Sequence, residues 1–77
     1  MLQVTITSAE RVLFEGPARS VRFPGEQGIF EVLPVHHALV SRLLPGQVVI
    51  DDQQPIPIRR GLIRIADDVI SAVVELP

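Results

Sequence analysis

Along most of this chain apolar side chains recur at every second residue, in short runs broken by turn residues, and that alternation restricts it to β-strands. Leu2, Val4 and Ile6 alternate with Gln3, Thr5 and Thr7, giving one apolar and one polar face. Val12 and Phe14 alternate with Leu13 and Glu15, and Gly16-Pro17 reads as the end of that strand. Val21 and Phe23 alternate with Ser20 and Arg22 before Pro24-Gly25. Val48 and Ile50 precede Asp51-Asp52, and Ile63 and Ile65 precede Asp67-Asp68. Both acidic pairs suit turns, since Asp side chains bond their own backbone. Ile56 and Ile58, set among Pro55, Pro57 and Arg59, suit an edge strand, because proline cannot donate to a ladder. Val69 to Leu76 reads as a last strand rich in β-branched residues. One segment competes. Leu39, Val40, Leu43 and Leu44 fall at helical spacing, but the segment is short, lies between prolines and has no N-cap residue. Turn signals roughly every eight to twelve residues predict an all-β fold: a small β-sandwich of about ten short strands, one domain over residues 1–77.

Composition narrows what such a domain can do. A chain of 77 residues buries only about 60% of its unfolded surface. Hydrophobic residues make up 47%, and the only aromatics are three Phe, so the core must be aliphatic. Cysteine is absent, so neither a disulfide nor a thiolate metal site can staple the fold. The net charge is −2, and the seven basic residues, all Arg, are scattered from Arg11 to Arg64 with only Arg59 and Arg60 adjacent. That is no footprint for nucleic acid. No apolar run approaches the ~20 residues that span a bilayer, which argues against direct membrane insertion. The N-terminus carries no export signal, so a cytosolic domain is expected.

Candidate chemistry is thin. His36 and His37, read as strand neighbours, point to opposite faces and cannot easily share one ion, and Glu31 is the only carboxylate nearby. The two Asp pairs could be catalytic acids, but their places between strands make them turns. Ser8, Ser20, Ser41 and Ser71 have no nucleophile-elbow context. Gly25 to Gly28 is followed by neither Lys-Ser/Thr nor a helix, so it is not a phosphate loop. The residues therefore predict no catalytic, metal-binding or cofactor-binding site, and no enzyme.

The segment PGEQGIFEVLPVHHALVSRLLPG, Pro24 to Gly46, carries a more specific signal. Two glycines bracket an acidic tip, an apolar run leads to Pro34 and a His-containing stretch, and Pro45-Gly46 closes it. This order of elements resembles the N-terminal β-sandwich domain of the epsilon subunit of F-type ATP synthases. Val4-Thr5-Ile6-Thr7-Ser8-Ala9-Glu10 is similar to the family's first strand and turn, and Arg60 to Ile65 with Val73-Val74-Glu75 to its last hairpin, so the resemblance spans essentially the whole chain. It implies a non-catalytic rotor-stalk subunit that seats the gamma shaft on the c-ring and transmits rotation driven by proton or sodium flow. It places the chain at the cytoplasmic face of an energy-transducing membrane, and it implies no cofactor.

The resemblance also implies sites. The gamma-facing surface would include Ser8, His36 and Ser41, and the end facing the polar loops of the c-ring would include Gly25, Glu26, Gln27, Gly28 and Glu31. Three departures stand out: Ala38 where the family usually has Pro, His37 where it has a small residue, and Ile29-Phe30-Glu31, which leaves the acidic contact to Glu26 or Glu31. The family usually continues into a C-terminal helical hairpin that carries inhibition and, in some members, nucleotide binding. Here the sequence stops at Glu75-Leu76-Pro77, as expected of a natural short form or of a domain cut at its boundary. The rival reading is an unrelated β-sandwich binding module. A lipoyl or biotinyl carrier would need an exposed Lys, and this chain has none.

Overall fold

The computed structural model describes all of Met1–Pro77 and contains nine strands and no helix: β1 (Leu2–Thr7), β2 (Val12–Ala18), β3 (Val21–Gly25), β4 (Gly28–Val32), β5 (Leu39–Leu43), β6 (Gly46–Ile50), β7 (Ile56–Ile58), β8 (Arg60–Ala66) and β9 (Val69–Glu75). They form one sheet in the order β2-β1-β9-β8-β5-β3-β6-β7, with β4 paired to β3. All pairs are antiparallel except β1 with β9. Every strand sends at least one side chain into a single cluster of 16 buried residues. Strands at both ends of the path can share one core only if the sheet curls over itself, which makes the sandwich.

The alternating residues do what their spacing requires. Leu2, Val4, Ile6, Val21, Phe23, Val48 and Ile50 are all buried, as are Ile63, Ile65, Ile70, Ala72 and Val74. No polar or charged residue is buried, so the core depends on aliphatic packing around Phe23. Both acidic pairs are turns. Asp67 and Asp68 take positive φ (52° and 62°) between the paired Ala66 and Val69, the geometry of a two-residue hairpin. Asp51 also has positive φ (51°), and its Oδ1 accepts the N–H groups of Arg19 (2.9 Å) and Ser20 (3.1 Å).

Three local readings needed tertiary correction. Gly16-Pro17 does not end β2, which runs on to Ala18 opposite Leu2. As the outermost strand, β2 can hold Pro17 there without breaking a central ladder. The simple alternation of Val12 and Phe14 is also broken: Ile6 pairs Phe14 while Thr7 pairs Val12, leaving Leu13 as an extra residue. Val12 is consequently exposed, and Leu13 and Phe14 are both half-buried. Finally, His36 and His37 lie in the β4–β5 loop rather than on a strand. The competing helix does not form: Leu43 is buried and Leu39 half-buried on one face of β5, with Val40 and Arg42 exposed on the other.

Candidate docking surfaces

The β3–β4 hairpin is paired from Val21 with Val32 to Gly25 with Gly28, which leaves Glu26 and Gln27 as an exposed two-residue tip. Neither tip residue takes positive φ; the reversal falls on Gly28, at φ 111°, a conformation glycine adopts without a Cβ penalty. Gly25 is buried under the Phe30 ring, and a Cβ there would stand 2.7 Å from Phe30 Cδ1. Phe30 in turn stacks on Phe23 at 5.7 Å, coupling the tip to the core. Glu26 accepts from Arg42 Nη2 on β5 at 2.6 Å. Both partners are largely exposed, so the pair orients the tip more than it stabilises the fold. Glu31 is placed elsewhere, in mid-β4 opposite Arg22, so Glu26 is the acidic group at the tip.

The residues expected to face the gamma shaft are not gathered in one cluster. Ser8 follows Thr7, which aligns across β9 and β8 with Arg42, near the hairpin tip. Its N–H donates to the Arg11 carbonyl at 2.9 Å and its Oγ accepts from the Glu10 N–H, so the hydroxyl shapes the β1–β2 turn. Ser41 pairs with buried Ile63 and lines a shallow cleft of about 400 Å³ with Gly25 to Phe30 and Leu39. His36 sits beyond the other end of β5, half-buried, with Nδ1 2.7 Å from the His37 carbonyl. A partner touching all three must run along the molecule, whose longest extent is 30 Å. The histidine rings are 6.5 Å apart, and no group of three or more His, Cys, Asp or Glu is placed to hold a metal ion.

Two features escaped sequence reading. On the outer sheet face, exposed Leu62, Val73 and Val12 lie in one transverse row with Arg42 and Thr7. This row borders a groove of about 870 Å³ walled by Ser8, Glu10, Arg60 and Leu76. Outward apolar positions were visible in the alternation, but their alignment depends on strand order. The second is Val35, whose backbone angle no local pattern predicts.

The family model of the ATP synthase Delta/Epsilon chain, beta-sandwich domain, matches residues 1–75. The chain belongs to that family. The reading of an unrelated sandwich is thereby set aside. This Delta/Epsilon-type domain is 37% identical over 78 residues to an ATP synthase epsilon chain of a Nitratiruptor species, covering 96% of this chain and 60% of that relative. It is 49% identical over 49 residues to the ATP synthase epsilon chain of Bordetella petrii, covering 64% of this chain and 35% of the relative. It thus spans between about a third and three fifths of these curated relatives. Among solved structures it is similar to a chain of the Tetrahymena thermophila mitochondrial ATP synthase central stalk/c-ring, with TM-score 0.80, 15% identity, and coverage of 96% of this chain and 63% of that one. A chain of the Euglena gracilis mitochondrial ATP synthase gives TM-score 0.83 at 19% identity, with 95% and 49% covered. At these identities the likeness establishes the shared fold.

Proposed function

We propose that this chain is the β-sandwich of an ATP synthase epsilon subunit, a non-catalytic component of the central stalk. The family match over residues 1–75, joined to curated relatives named epsilon chain, carries the proposal. On this reading residues 1–77 are one folding unit held peripherally, through the complex, at the cytoplasmic face of the energy-transducing membrane. The work is mechanical. A curled sheet with a wholly apolar interior resists deformation because close-packed cores have little free volume. Torque then passes between two surfaces without a titrating group or a cofactor. The exposed tip, Gly25-Glu26-Gln27-Gly28, faces the polar loops of the c-ring, with Glu26 oriented by Arg42; Glu31 is a flanking contact. Ser8, Ser41 and His36 mark the gamma-facing side, and their spread along the molecule fits an elongated shaft.

The absence of native cysteine makes the test direct. The chain is assembled with gamma, the catalytic subunits and c-ring from the same source, carrying single replacements Ser8→Cys, His36→Cys, Ser41→Cys or Gln27→Cys. The first three are expected to crosslink to gamma and the last to the c-ring. A chain that neither co-purifies with gamma nor crosslinks to it would end this reading.

A further inference from the structure

The two ends of the strand path, β2 and β7, each leave one edge unpaired. Such an edge presents a row of N–H and C=O groups that another strand can extend. Around β7 the donors on that side can be followed one by one. Pro57 pairs with Gln47. Proline has no N–H, so this pair is of the non-hydrogen-bonded kind, in which the backbone groups of both residues turn away from the partner strand. The nitrogen of Pro57 therefore faces the free edge, and by the same alternation so does that of Pro55, just before the strand. The flanking donors are already used: the Arg59 N–H donates to the Glu75 carbonyl at 2.7 Å, and the Gln53 N–H to the Ile50 carbonyl at 2.9 Å. From Pro55 to Arg59 the edge offers carbonyls and no free N–H. The other end of the path uses the same device. Pro17 of β2 pairs with Gln3, whose N–H accordingly points away from β2, to the Asp68 carbonyl at 2.9 Å.

The segment that the β7 prolines interrupt would otherwise invite pairing. Gln53 to Ile58, QQPIPI, holds no charged residue, and Asp51-Asp52 and Arg59-Arg60 bound it. A six-residue uncharged run with β-branched residues and no proline is the type of strand that stacks on copies of itself. The apolar run of β9 also lacks proline, but β1 and β8 cover both its edges. No strand covers the outer edge of β7. It borders an open cleft of about 400 Å³ whose far wall includes Arg11, Val12 and Leu13 at the start of β2.

We infer that Pro55 and Pro57 bar the free edge of β7 from pairing with a second copy of this chain. They remove the donors that a ladder between copies needs and leave the pairing of β7 with β6 intact.

Sedimentation of the purified full chain over a concentration series tests this, with circular dichroism to show that each variant is folded. The parent is expected at its own mass, 8.5 kDa. Pro55→Val with Pro57→Val returns both donors and should raise the mass about twofold or more, as of a dimer or larger assembly. Amide exchange across residues 53–59 should slow as that variant associates, which would place the contact on β7. Gln47→Val is the control: it adds an apolar side chain in the same cross-strand pair without an edge donor, and should sediment like the parent. Pro57→Val alone returns one donor and carries the same expectation should the double variant not fold. A folded proline variant that keeps the parent's mass would overturn the inference. So would equal association of the parent or of Gln47→Val, or association that leaves exchange across residues 53–59 unchanged.

Discussion

Replacing Gly61 by Ala tests whether the β8–β9 ladder is as close as the structure requires. Gly61 lies on β8 between Leu43 of β5 and Val74 of β9. Its backbone is not in the left-handed region, so an added methyl is resisted by contact rather than by torsion. That methyl would stand 2.6 Å from the Val73 carbonyl oxygen, 3.0 Å from Val74 Cγ1 and 3.2 Å from Val74 Cα. Two of these atoms belong to the backbone of β9, which is pinned on one side by β1 and on the other by β8 itself. The strand cannot retreat without stretching its hydrogen bonds. Overpacking of this kind costs about 1–3 kcal/mol, partly offset by the ~0.4–1 kcal/mol gained from a less flexible unfolded chain. The expected net loss is about 1–2 kcal/mol, or a fall in thermal midpoint of roughly 4–16 °C for a domain of this size. Gly25→Ala is the control. Its methyl meets the Phe30 ring at 2.7 Å and the Gly28 carbonyl oxygen at 3.1 Å; the ring is half-buried and able to swing, and the backbone contact is looser than the 2.6 Å one at Gly61, so the loss should be smaller. Far-UV circular dichroism in a urea and a thermal series measures both. A Gly61→Ala chain as stable as the parent, or less damaged than Gly25→Ala, would refute the close approach of β8 and β9.

Two further substitutions probe polar contacts of opposite kind. Asp51→Ala removes the acceptor for two backbone N–H groups and puts a poor residue at φ 51°; a loss of about 1–3 kcal/mol is expected, with Asp51→Asn restoring most of it, both measured as urea midpoints. Glu26→Gln weakens an exposed ion pair to Arg42 and should change stability by less than about 1 kcal/mol; a larger loss in the same titration would make the tip pair a structural element.

The alternation of Leu2-Val4-Ile6 or Ile63-Ile65 is a local property, since successive residues of a strand face opposite ways whatever lies beside them. The buried set, the all-β class and the Asp turns were for that reason legible in the residues, and so was the family, through the turn residues of Pro24 to Gly46. Other features depend on which strands become neighbours. Leu13 is an extra residue only because Thr7 meets Val12, and Pro17 is tolerated only because β2 is outermost. Glu26, and not Glu31, is the acidic residue at the hairpin tip because the hairpin closes at Gly25 and Gly28 and brings Glu26 to Arg42. The His36 loop and the strained Val35 answer to a carboxylate 33 residues further along the chain. Such contacts leave no periodicity in the sequence, because residues distant along the chain meet only when the curled sheet closes on its core.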